Sequence, residues 1–267
     1  MQNLQPMNSM PLHLSGTRLR LISYNIQVGI ASTRPHHYLI HSWKHLLPHS
    51  NHLKNLDQIA SLLQGADIVG LQEVDAGSLR SEFVNQTEYL AQRANFAHWH
   101  FQTNRRIGQF AKHSNGLLSK YIPSKVEEHK LPGGLPGRGA IEVHYGDQNN
   151  TLVVVLLHLA LGQRARWQQL GYVSEIVREY EHVIVMGDMN CQPHSEEMTA
   201  LLAKTGLISP ARELKTFPSW RPTKKLDHIL ISPSFDVCNV RVLNFPFSDH
   251  LPISMDLIVP EAISLVA

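Results

Sequence analysis

Carboxylate, amide and imidazole side chains recur in this chain where apolar runs stop: Asn25, Glu73, His158, Asp188 with Asn190, Asp227, and Asp249 with His250. Oxygen donors of this kind suit a hard divalent cation, Mg2+ or Mn2+, which takes one or two carboxylates and keeps several waters. A cation held in that way polarises a phosphoryl oxygen and orients an attacking water. A histidine with a pKa of about 6.5 can take a proton at neutral pH. The chemistry to expect is metal-assisted hydrolysis of a phosphate ester.

The elements that would position these groups can be read from the apolar pattern. Residues 19–25 (LRLISYN) form a strand ending at Asn25, and 67–72 a strand leading into Glu73. The run 151–159 is almost wholly apolar and reads as a strand buried on both faces, ending near His158. The strand at 182–187 ends at Asp188, and further strands are expected at 97–102, 114–119, 125–130, 139–145, 226–232, 237–242 and 253–259. Helices are predicted from Leu53 to about Gly65, over 81–95 with Ser81 as its cap, over 163–180, and over 195–204 between Ser195 and Gly206. Strand runs mixed with single helices imply two packed sheets with helices outside. If 188–190 is extended, Asp188 and Asn190 point the same way.

Five strings, SYNI at 23–26, LQEV at 71–74, GDMN at 187–190, LDHIL at 226–230 and SDHLPI at 248–253, resemble in order and content the endonuclease/exonuclease/phosphatase superfamily. The resemblance spans about residues 19–257. It implies an α/β/β/α four-layer sandwich built on two packed mixed β-sheets, of the deoxyribonuclease I-like type, in a compact bacterial-type member. It implies Glu73 as direct metal ligand with Asn25 in support, Asp249 beside them, and Mg2+ (or Mn2+) as the cofactor. His250 would take the proton of the nucleophilic water, with Asp227 orienting its ring. Asp188 would position that water and Asn190 contact the scissile phosphate. His158 in LLHL matches a histidine of the deoxyribonuclease I and sphingomyelinase branches that binds phosphate or assists the leaving group. Arg138 in GRGAIEV and Asn115 in SNGLLS are further candidates for the phosphate-binding side. The motifs depart from those usual in abasic-site endonucleases, which disfavours a base-excision repair role.

Composition sets the remaining bounds. The chain has 267 residues, 43% hydrophobic and 17% charged, enough for one large core. Lys and Arg number 24 against 22 Asp and Glu, so no broad basic field is available to grip long nucleic acid without a local groove. Two cysteines exclude a disulfide framework, and no apolar stretch is long enough to span a bilayer as a helix. No secretory signal is evident in the first 17 residues, and a cytoplasmic enzyme is expected. The domain reading is a tail at 1–17, a single catalytic domain at 18–260 and a tail at 261–267. Six of the 17 histidines fall in one stretch (His36, His37, His41, His45, His49, His52) and read as a solvated loop at the rim of the site. The function expected first is phosphodiester hydrolysis, on nucleic acid or a phospholipid headgroup. A small-molecule phosphomonoesterase, or an inert binding protein on the same fold, stands as the alternative.

Overall fold

A computed structural model describes residues 16–30, 52–134, 137–147, 150–211 and 213–267. The histidines at 36, 37, 41, 45 and 49 lie outside these residues; His52, expected on the same solvated loop, instead begins a helix (His52–Leu63) and is buried, its Nε2 2.6 Å from Gln86 Nε2. Eleven strands fall into two sheets. The first has the order β10-β11-β1-β2-β4-β3, built from β1 (Thr17–Asn25), β2 (Ile68–Asp75), β3 (His98–Ile107), β4 (Ala111–Ser119), β10 (Asp236–Val242) and β11 (Ile253–Val259). The second has the order β5-β6-β7-β8-β9, from β5 (Lys125–Lys130), β6 (Gly139–Gly146), β7 (Thr151–His158), β8 (His182–Asp188) and β9 (Asp227–Ile231). Helices α1 (His52–Leu63) and α2 (Gln86–Ala94) cover the first sheet, and α3 (Gln163–Val177) and α4 (Glu196–Thr205) the second. This is the α/β/β/α sandwich expected from the sequence.

Alternation along the strands builds the layers. Leu19 and Leu21 of β1 and Ile141, Val143 and Tyr145 of β6 pack between the sheets, whereas Ile22 and Tyr24 face α1 and α2. The sheets come very close at Gly70, where an added Cβ would lie 2.6 Å from Leu156 Cδ1. All of Leu152 to His158 is buried, as its unbroken apolar run requires.

Only β1–β2 and β7–β8 pair in parallel; every other neighbouring pair is antiparallel. The carboxyl ends of four central strands therefore gather on one rim, and the antiparallel β9 and β11 begin there.

The helix predicted over 81–95 is shorter at its start. A single turn at Leu79–Ser81 comes first, and Asn85 is the true cap, accepting from the backbone N–H groups of Thr87 (3.1 Å) and Glu88 (3.4 Å). Phe83, inside the range predicted as helix, has a left-handed backbone and is 66% exposed. Ser195 caps α4 and Gly206 ends it in the left-handed region, as expected. Residues 261–267, set apart as a tail on sequence, pack onto the domain: Ile263 joins the inter-sheet core and the Val266 carbonyl accepts from Ile122 N–H at 2.7 Å. No helix among the described residues is long and apolar enough to cross a membrane.

Candidate active site

Each candidate side chain is set by a local device at a strand end. Asn25 closes β1 with its own Oδ1 accepting from Gln27 N–H (3.1 Å), leaving its Nδ2 to donate to Asp188 Oδ2 (3.1 Å) and Glu73 Oε1 (3.3 Å). Glu73 sits where the β2–β4 register slips between Leu71 and Val74, so that Gln72 and Glu73 oppose the single residue Asn115. Its φ of 57° is left-handed, and this bulge turns the carboxylate out of the strand's alternation toward Asn25. Gly187 has φ +143°, and a Cβ there would lie 1.9 Å from the Leu157 carbonyl oxygen, so only glycine lets β8 deliver Asp188 against the end of β7. Register then places His158 beside Asp188 and Asp188 beside Asp227.

The imidazole of His250 lies among these acids. Its Nδ1 is 2.8 Å from Asp227 Oδ2 and its Nε2 3.7 Å from Asp188 Oδ2, and the Phe217 ring packs 4.8 Å from it. Burial disfavours a charged ring, but Asp227, Asp188 and Asp249 outweigh it and hold the His250 pKa well above the ordinary value. Burial pushes the Asp188 carboxyl up to about 7, with Asp227 adding to the rise, and Asp249 up to about 6, with Glu73 adding. His158 goes the other way: burial, then Arg138 and His250, lower its pKa well below normal. It lies 3.5 Å from Asp188 and 4.0 Å from Glu73 as a neutral ring, so neither approach is an ion pair.

The donor chemistry fits a divalent cation. Glu73, Asp188, Asp227 and Asp249 gather carboxylates in a largely buried pocket, and Asp188, Asp227 and His250 place ligand atoms within 4.8 Å of one another. Among the described residues, Asp227 Oδ1 is buried without a hydrogen-bond partner.

Residues 22–250 match the model of the endonuclease/exonuclease/phosphatase family. The chain belongs to that family. Its fold is similar to an endonuclease/exonuclease/phosphatase of Beutenbergia cavernae (TM-score 0.70, 22% identity, 91% of this chain and 72% of that one). It is similar also to the mannosyl-6-phosphatase Bt3783 of Bacteroides thetaiotaomicron (0.68, 18%, 90% and 100%) and to TDP2 of D. rerio complexed with a single-strand DNA product (0.66, 17%, 91% and 100%). No curated protein matches the sequence significantly.

In this family member the structure brings Asn25, Glu73, His158, Asp188, Asp227, Asp249 and His250 to one rim. Arg138 and Asn115 line an adjoining cleft of about 470 Å³ together with Glu73, His158, Asn104, Arg105 and His113. Asn115 is anchored there, its Nδ2 donating to the Gly139 carbonyl at 3.0 Å. Asn190 departs from the extended geometry supposed for it. Its φ is 51°, its N–H donates to Asp188 Oδ1 (3.0 Å) in a turn, and its Nδ2 donates to the Leu159 carbonyl (3.0 Å). Asp and Asn stabilise such turns through their own side chains, as Asp188 does here.

Sequence reasoning missed Thr216, whose Oγ1 donates to Asp227 Oδ2, and Phe217 beside the His250 ring. Both lie in a segment without helical or strand periodicity. His113, which burial and Arg80 push down to about 4, and Arg105 also escaped notice, since β3 and β4 carry several polar residues with no distinguishing spacing.

Proposed function

We propose that the protein hydrolyses a phosphodiester, of a nucleic acid or a phospholipid headgroup, with Mg2+ or Mn2+ as cofactor. The observation that carries this reading is the His250 ring, held at Nδ1 by Asp227 at 2.8 Å while Nε2 faces the acidic pocket of Asp188. Glu73, with Asn25 and Asp249, would hold the cation. When bound, the cation neutralises the acids and polarises the phosphoryl oxygen. Asp227 keeps the Nδ1 proton in place, so above the raised pKa of the ring Nε2 accepts the proton of the attacking water. Asp188 orients that water. The new P–O bond forms as the bond to the leaving oxygen breaks, and that oxygen is protonated from solvent or from His250.

Arg138, its charge facing Glu73 and Asp188, would bind the phosphate from the cleft side, with Asn115 beside it. The second N–H of the Asn190 amide and the neutral His158 ring supply hydrogen bonds without further positive charge. Unbridged Cys191 and Cys238 support a cytoplasmic setting.

A second reading, hydrolysis of a small phosphomonoester, draws on Arg105 and Arg138 lining the same cleft, which together suit a dianion. Bis-p-nitrophenyl phosphate and p-nitrophenyl phosphate, with Mg2+ or EDTA and a His250→Ala control, separate the two. The first reading expects faster, chelator-sensitive turnover of the diester. Hydrolysis that survives EDTA or the substitution would refute the mechanism.

A further inference from the structure

A second set of ligating side chains lies on the outer face of the other sheet. Glu142 and His144 on β6 alternate with the inward Ile141, Val143 and Tyr145, and so point away from the catalytic rim toward the helices. Glu127 on β5 stands directly opposite Glu142 in the antiparallel register, with His129 two residues on and facing the same way.

The Glu142 carboxylate is 3% exposed and takes one imidazole on each oxygen. His129 Nε2 lies 2.7 Å from Oε2 and His144 Nε2 2.6 Å from Oε1. Among the described residues, no lysine or arginine comes within 4 Å of Glu142. Its charge faces two imidazole rings. Glu127, half-buried, pairs with the exposed Lys125 at 2.8 Å. Two carboxylates directly opposite on one face of a sheet repel, and a bound cation would add to the relief that Lys125 gives Glu127.

The ring of His129 is held from behind, its Nδ1 3.1 Å from the Tyr172 hydroxyl on α3, and the His144 ring packs edge-on to Tyr180. An outer partner on the far ring nitrogen is the usual arrangement for a metal-bound histidine. If Nδ1 carries the proton toward Tyr172, Nε2 turns its lone pair on the carboxylate, and a cation between them resolves the conflict.

We propose that Glu127, His129 and Glu142, with His144 holding the other oxygen of Glu142, form a second metal site, for Zn2+ or a similar borderline divalent cation, that fastens β5 to β6 and to α3. Ligand atoms of Glu127, His129 and Glu142 already lie within 4.8 Å of one another. Tetrahedral Zn2+ with bonds of about 2.0 to 2.1 Å needs them roughly 3.3 Å apart. The His129–Glu142 contact opens by a few tenths of an ångström, the half-buried Glu127 swings in, His144 stays on the other oxygen of Glu142, and water completes the shell. The role is structural, because β5 is an edge strand with little buried surface of its own.

Co2+ titration of a Glu73→Gln protein, in which the catalytic carboxylate is removed, tests the proposal. One equivalent should bind with the intense visible absorption of tetrahedral Co2+, and Zn2+ should displace it. Zn2+ at about a hundredfold over its Kd should raise Tm by about 5 to 10 °C. In Glu127→Gln, an isosteric change of a half-buried side chain, affinity should fall at least about tenfold. Mg2+-supported hydrolysis by Glu127→Gln in the otherwise wild-type protein should be unchanged. Absence of a tetrahedral Co2+ spectrum would overturn the site, as would a spectrum and Tm shift that persist undiminished in both Glu127→Gln and His129→Ala/His144→Ala.

Discussion

Replacing Asp227 by Asn tests the catalytic arrangement most directly, because it keeps shape and changes only charge and proton placement. Asp227 Oδ2 accepts from His250 Nδ1 at 2.8 Å and from Thr216 Oγ1, so Nδ1 keeps its proton and Nε2 offers a lone pair only above the raised pKa of the ring. An amide can turn its NH2 toward Nδ1, which drives the proton onto Nε2 and disables the base. The lost charge-assisted hydrogen bond is worth about 1.5 to 3 kcal/mol, or roughly one to two pKa units on the ring. With the tautomer reversed as well, kcat should fall about 10³- to 10⁴-fold, the scale seen when a carboxylate behind a catalytic imidazole becomes an amide. The pH profile adds a signed check. Burial works against imidazolium, but Asp227, Asp188 and Asp249 raise the pKa well above normal, so wild-type activity is lost as pH falls through that raised value. Asp227→Asn should move the acidic limb to lower pH while the plateau drops. The assay is kcat on bis-p-nitrophenyl phosphate at saturating Mg2+ from about pH 5 to 9, beside NMR titration of the His250 ring in metal-free protein. A loss below tenfold, or an acidic limb that stays put, would refute the pairing.

Three further outcomes follow from other parts of the site. Glu73→Gln should weaken Mg2+ binding at least about tenfold by calorimetry with little change in Tm, its side chain being 34% exposed; undiminished binding would remove Glu73 as a ligand. Asp249 is raised from 3.8 to about 6 by burial first and Glu73 next, so the native state holds its proton more tightly than the unfolded chain. Its contribution to stability is full below about pH 4 and lost as pH rises to about 6. In EDTA, the Tm of Asp249→Asn relative to wild type should therefore climb across that window; a flat difference would count against the raised pKa. Arg80→Met removes the cation from the fully buried Asp75, to which Arg80 Nε donates at 2.5 Å, and should cost about 3 to 5 kcal/mol in urea unfolding. A cost under about 1 kcal/mol would mean that the Ser78, Ser81 and Lys112 hydrogen bonds suffice to hold Asp75.

The layers of this fold were legible because burial on two faces leaves a distinct trace. The run from Leu152 to Leu157 has no polar residue, and a strand with so little polarity must lie between a second sheet and a helix. The polar residue ending each such run was legible for the same reason: His158 and Asp188 interrupt apolar strands where solvent or chemistry begins. What periodicity could not indicate was a change in backbone direction. Alternation along LQEV says nothing of the bulge that re-aims Glu73, and two residues of spacing between Asp188 and Asn190 suggested a common face until the left-handed Asn190 turned the chain.

The same limit separates mechanism from substrate. Groups at the ends of buried strands are held by sheet register, so their order along the chain carries their arrangement. The cleft beside them is lined by Asn104 and Arg105, where β3 slips register between Thr103 and Arg105, and by the loop preceding β6 that bears Gly137 and Arg138. Gly137 lets these segments touch, since a Cβ there would lie 3.1 Å from Arg105 Cβ. Neither a bulge nor a loop approach has a period to detect. Two arginines 33 positions apart become neighbours on one cleft only through that contact. Selectivity between a diester and a terminal phosphate should therefore shift with Arg105, which that approach brings onto the cleft, more than with any residue of the acidic rim.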